Sequence, residues 1–237
     1  MTRLGMLTPS SNTRLEPATA ALLRGRPEVT AHFSRFRVTE ISLSAAGLGQ
    51  FDEAPILRAA ELLADARVDA IAWNGTSAAW LGFARDEALC ARIREVTGIP
   101  ACTAVLGFRD AFARAGLRRV GLVTPYTTDV QARIRRNWGA AGLDCAAERH
   151  AGLSDNFSFA TIPEADVARM AREVAREGAE AVAIVCTNMA GAALAAPLEA
   201  ELGIPVYDSI AVTLWAALRT AGADPGRITG QGSVFAL

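Results

Sequence analysis

Cys186 is the residue of this chain best placed to do chemistry. It follows the apolar run Ala181-Val182-Ala183-Ile184-Val185 and precedes Thr187-Asn188. An apolar run that stops on a thiol and then on small hydroxyl and amide residues reads as a strand end opening toward a helix. A thiol there lies in the field of a helix start, which lowers its pKa and suits it to act as acid, base or nucleophile. Three other apolar runs stop in the same way, at Pro9-Ser10-Ser11-Asn12, at Gly75-Thr76-Ser77 and at Thr124-Pro125-Tyr126-Thr127-Thr128. Backbone N–H groups at such turns, with Ser and Thr hydroxyls beside them, make a cradle for a carboxylate or an oxyanion. The same residue types are ordinary helix caps, but four loops of one character favour a binding cleft.

Composition narrows the chemistry further. All 24 basic residues among the 237 are arginine. Without lysine there is no Schiff base, no pyridoxal-phosphate anchor and no Walker-type phosphate loop. Two histidines, His32 and His150, and four scattered cysteines leave little for a transition-metal site. A net charge of −1 carries no basic footprint for nucleic acid. No apolar run is long enough to span a membrane. The chain enters a strand pattern at once, leaving no room for a signal peptide, so the expected setting is a reducing cytoplasm with Cys90, Cys102 and Cys145 as small buried thiols.

Six strands are expected, at 3–8, 31–38, 69–74, 119–124, 181–186 and 204–207. Helical patterns cover 13–24, 53–66, 85–97, 104–115, 128–141, 163–177, 192–202 and 210–221. Alternation of this kind predicts parallel sheets covered by helices, with ligands at the carboxyl ends of the strands. No dinucleotide fingerprint follows a strand. The chain also resembles itself. Leu4-Gly-Met-Leu-Thr-Pro9 matches Val120-Gly-Leu-Val-Thr-Pro125, and residues 69–77 match 180–188. Gly98-Ile99-Pro100 matches Gly203-Ile204-Pro205, and Ala115-Gly116 matches Ala221-Gly222. Four matches in one order, offset by about a hundred residues, imply two similar α/β halves. The expected fold is α/β: two Rossmann-like halves with parallel sheets, related by a pseudo-two-fold axis, with the active site in the cleft between them. Residues 1–104 plus 210–237 would form one half and 105–209 the other.

Within the repeat, Gly75 stands where the second half has Cys186. This constellation resembles the aspartate/glutamate racemase superfamily, in the branch of arylmalonate decarboxylase and maleate cis-trans isomerase. Pro9-Ser10-Ser11-Asn12-Thr13, Ser34-Arg35-Phe36-Arg37, Asp155-Asn156 and Cys186-Thr187-Asn188-Met189 are similar to maleate isomerases. Gly75-Thr76-Ser77 looks like the decarboxylase, and Tyr126 is shared by both. The resemblance implies a cofactor-independent enzyme acting on a small mono- or dicarboxylate. Two-base racemases and isomerases of this kind carry a cysteine in each half. One cysteine with a glycine is the decarboxylase arrangement.

The implied reaction is loss of CO2 from a substituted malonate, with Cys186 protonating an enediolate held by Thr76, Ser77, Tyr126 and backbone N–H groups near Ser77 and Thr187. Restoring a second thiol by Gly75→Cys is expected to create racemase or isomerase activity. Asn12 and Asn156 align with residues that hold a second carboxylate in maleate isomerases, which favours an isomerase or racemase on a small dicarboxylate. A carboxylate-binding protein without catalysis is the third reading. Arg35 and Arg37 read as surface residues, Trp73 as core and Trp80 as a pocket wall. Neither nucleic acid nor membrane is an expected partner; an apolar helix face leaves room for a homo-oligomer.

Overall fold

Two short, wholly apolar strands, Ala-Ile-Ala-Trp at 70–73 and Ala-Val-Ala-Ile at 181–184, are buried at every position. Strands covered on both faces by helices have no polar side to present, so they read as continuous apolar runs. The computed structural model describes residues 1–237. Its first sheet holds β1 (Thr2–Pro9), β2 (Val29–Phe36), β3 (Ala70–Trp73) and β4 (Ala101–Thr103). The helices among them are α1 (Leu15–Leu22), α2 (Ala45–Gly49), α3 (Glu53–Asp65), α4 (Ala78–Leu81), α5 (Phe83–Thr97) and α6 (Ala104–Ala115). The second sheet holds β5 (Arg119–Thr124), β6 (Asp144–His150), β7 (Ala181–Ile184) and β8 (Val206–Asp208), with α7 (Thr128–Ala140), α8 (Glu164–Arg176), α9 (Ala195–Leu202) and α10 (Ser209–Thr220).

Both sheets are parallel, and both have one strand order: β2-β1-β3-β4 and β6-β5-β7-β8. The register repeats as well. Leu4 pairs with Ala70 in the first sheet and Val120 with Ala181 in the second, the residues that self-comparison sets in correspondence. Gly116 (φ +70°) and Gly203 (φ +71°) end α6 and α9 in the left-handed region, where an L side chain is disfavoured. The helix α10 packs on β3 and β4 and against α6. Aromatic rings tie α6 to the second half: Phe112 stacks on Tyr207 of β8 at 5.5 Å, and Phe108 lies 5.8 Å from Trp138 of α7.

Two strands were not anticipated. Three-residue β4 is too short to show a period. Edge strand β6 carries Asp144, Glu148, Arg149 and His150 and lacks an apolar run. The helical pattern near 192 starts only at Ala195, leaving residues 185–194 without regular helix or strand after β7. No helix is long and apolar enough to cross a membrane.

Candidate active site

The carboxyl ends of β1, β3, β5 and β7 converge on a narrow cavity of about 20 Å³. Pro9, Gly75, Thr76 and Ser77 line it from the first half, and Tyr126, Asn156, Cys186 and Thr187 from the second. Val38, Ile41, Phe51, Trp73 and Trp80 complete its wall. The sequence-derived site therefore closes around one space, with two exceptions. Ser10 and Asn12 do not line the cavity. The apolar wall was largely invisible in the sequence: Trp80 was expected there, whereas Trp73 read as core, and Val38, Ile41 and Phe51 carry no distinguishing pattern.

Cys186 is 3% exposed. Burial pushes its thiol up to about 12, against the backbone hydrogen bond from Asn188, whose N–H reaches Sγ at 3.3 Å. The Tyr126 hydroxyl also favours the ionised form, and the Asp208 carboxyl opposes it. This corrects the expectation of a thiol acidified by a helix start: no regular helix begins until α9 at Ala195, and burial is the largest influence on the thiol. Desolvation wins, and Cys186 is a protonated thiol at neutral pH.

The Tyr126 phenol is likewise driven well above its usual range by burial, so it is a neutral donor. Its hydroxyl is 2.6 Å from Thr76 Oγ1. Trp80 (5.1 Å) and Phe159 (5.5 Å) meet its ring edge-on and fix its direction. Ser77 precedes α4 and makes no side-chain capping bond. The backbone N–H groups of Thr76, Ser77 and Thr187 have no acceptor within the chain, although all three residues are buried. Buried N–H groups are nearly always paired. Unpaired donors from both halves, beside Tyr126 and Ser77 hydroxyls, are what an anionic ligand requires.

A reciprocal clasp fixes the two halves at this point. Asn12 Nδ2 donates to the Thr187 carbonyl and to Thr187 Oγ1, both at 3.1 Å, while its Oδ1 accepts from Arg14 N–H and Leu15 N–H. In return Asn188 Oδ1 accepts from Thr13 N–H at 3.0 Å, and its Nδ2 donates to the Asn156 carbonyl at 2.6 Å. Thr187 Oγ1 donates to the Asn74 carbonyl at 2.8 Å. Asn12 thus spends its side chain on structure. Asn156 Nδ2 donates to Ser11 Oγ at 2.7 Å, and its side-chain oxygen has no donor within the chain. Arg35 holds the Ser10 and Asn12 carbonyls and pairs with Glu16, away from the cavity. Sequence reasoning placed Asn188 in the repeat but gave it no role; its match to a position before a helix start was the available signal.

Gly75 holds the position equivalent to Cys186, and a Cβ built there would fall on Cε2 and Cζ2 of the Trp73 indole. The position is filled from two residues away.

A family model described as arylmalonate decarboxylase matches residues 4–235. A maleate isomerase of Pseudomonas putida is 25% identical over 247 residues, covering 98% of this chain and 96% of its own. The arylmalonate decarboxylase of Bordetella bronchiseptica is 28% identical over 165 residues, 68% of each chain. Among solved structures, a Nocardia farcinica maleate cis-trans isomerase mutant with a covalently bound succinylcysteine intermediate superposes with a TM-score of 0.90. It is 23% identical, and 99% of this chain covers 98% of that one. A liganded arylmalonate decarboxylase mutant gives 0.87 at 22% identity, with 99% of each chain covered.

Proposed function

The chain belongs to the arylmalonate decarboxylase family, an enzyme of the isomerase and decarboxylase branch of the Asp/Glu racemase superfamily, and from that premise we propose that it decarboxylates a substituted malonate with Cys186 as sole proton donor. One carboxylate of the substrate binds the N–H groups of Thr76, Ser77 and Thr187 and the hydroxyls of Ser77 and Tyr126. The other carboxylate lies against the wall of Val38, Ile41, Phe51 and Trp80. An anion in apolar surroundings is poorly solvated, and losing it as neutral CO2 relieves that cost. The bond from Cα to the departing carboxylate breaks, and its electron pair spreads onto the retained carboxylate as an enediolate. The fixed donors meet that growing charge.

Cys186 S–H then gives its proton to Cα, and the thiolate recovers one from solvent. Each turnover releases one CO2 and takes up one proton. The observation that carries this reading is a single protonated thiol in a cavity whose opposite acid–base position is filled by an indole. Asn12, the partner expected for a second carboxylate, is committed to Thr187 and to the start of α1.

A second reading, isomerisation of a small dicarboxylate, is favoured by the full-length likeness to a named maleate isomerase and by Asn156 in the cavity wall, whose Nδ2 uses one N–H on Ser11 and has a second to donate. Incubation with a panel of substituted malonates and with maleate, following CO2 and fumarate, separates the two. CO2 from a malonate is the expected result. Fumarate from maleate, with no CO2 from any malonate, overturns the proposal.

A further inference from the structure

The glycine opposite Cys186 is only half of a device; Trp73 is the other half. Trp73 ends β3, is 1% exposed and lies 5.0 Å from the Phe36 ring, so its indole has a fixed seat. The indole covers the α-carbon of Gly75 in the volume a side chain there would take. It also forms part of the wall of a second, very small crevice, about 10 Å³, bounded by Ile56, Leu81, Asp86 and Leu89. The carboxyl of Asp86 is buried in that wall, and its Oδ2 has no hydrogen-bond partner. The indole, with Phe51 and Ser77, therefore forms the boundary between the reacting cavity and the crevice that holds the Asp86 carboxyl.

We propose that Trp73 is the specificity-determining residue that closes the face of the reacting carbon opposite Cys186, so that protons arrive from the thiol side alone. This rests on the decarboxylase reading and deepens it. By the repeat, residues 75 and 186 address the bound carbon from opposite sides. A missing thiol by itself would leave that side to water, and water would protonate an enediolate without preference. A packed indole removes the room for water and for the Asp86 acid together.

Two measurements test it. The first is the enantiomer ratio from a malonate carrying two different substituents. The wild-type chain yields one enantiomer, and Trp73→Leu lowers the ratio by about tenfold or more. A folded, active Trp73→Leu variant with the wild-type ratio overturns the proposal, as does a racemic wild-type product. The second needs no substrate. In a double-mutant cycle on urea unfolding, Gly75→Cys shifts the unfolding constant at least about tenfold more in the Trp73 background than in the Trp73→Leu background. Additive effects overturn the plug. Should the wild-type chain decarboxylate nothing, the functional reading fails while the cycle still decides whether the indole fills the second position.

Discussion

Trp73 and Gly75 compete for one volume: the indole of the first lies where the Cβ of any larger residue at the second would have to stand. Glycine at 75 follows from tryptophan at 73 as much as from the chemistry. The expectation that Gly75→Cys restores a second acid–base group therefore carries a condition: the indole must yield the volume that the new side chain takes.

Gly75→Ala is therefore destabilising although alanine suits the backbone better. Forcing one methyl into a packed core costs about 1–3 kcal/mol. Urea unfolding of the pair of proteins reads it, and an unchanged midpoint shows that Trp73 swings aside freely.

Cys186→Ser lowers turnover by about 10²–10⁴, the usual contribution of a positioned acid. The thiol is held up to about 12 by burial, so the native acid stays protonated well into alkaline pH. Turnover then shows no loss from thiol ionisation between pH 7 and about 10, and iodoacetamide inactivates slowly across that range. A rate that climbs tenfold per pH unit marks a thiolate nucleophile instead.

Tyr126→Phe keeps the ring between Trp80 and Phe159 and deletes one donor. Loss of an oxyanion donor predicts a fall in kcat of about 10²–10³ with little change in thermal stability. Equal kcat in the variant removes Tyr126 from the cradle.

Asn12→Ala strips an acceptor from Arg14 N–H and Leu15 N–H and a donor from Thr187. Leaving such groups unsatisfied predicts a loss of about 1–3 kcal/mol in unfolding free energy. If Asn12 instead holds a substrate carboxylate, KM rises strongly while stability stays put.

Asp208 gives a pH signature. Its Oδ1 caps α10 through the N–H groups of Ile210 and Ala211, and its Oδ2 is buried without a partner. Burial raises its carboxyl to about 7. Between the unfolded value of about 4 and that figure, the native state keeps a proton the unfolded chain has lost, so stability falls as pH rises through this window. Asp208→Asn retains the cap and flattens that slope. Unfolding curves at pH 5 and pH 8 check it; an unaltered slope contradicts the buried acid. Asp86, also raised to about 7 by burial, adds a slope of the same sign, so the double variant is flatter still.

Much of this molecule was legible because it is written twice. The Leu4 and Val120 runs, the Ala70 and Ala181 runs and the two Gly-Ile-Pro segments fall at matching points of two identical strand orders. Hydroxyl and amide residues at strand ends marked most of the residues that line the cavity, since strand ends converge in any parallel α/β sheet. Contacts across the cavity were not legible. Trp73 looked like core because a strand of Ala-Ile-Ala-Trp carries no sign of how far an indole reaches beyond its own strand. Asn12 looked like a ligand residue, and only the approach of Thr187 from the other half shows its structural use. The thiol pKa was misjudged because burial, which dominates it, belongs to the assembled cavity.

The most direct test of Cys186 as sole proton donor is decarboxylation of a malonate with two different substituents in D2O, analysed by chiral chromatography and mass spectrometry. The account predicts CO2 release, one deuterium on the product carbon, a single enantiomer, and near-complete loss of turnover in Cys186→Ser. A racemic deuterated product, or full activity in Cys186→Ser, contradicts it.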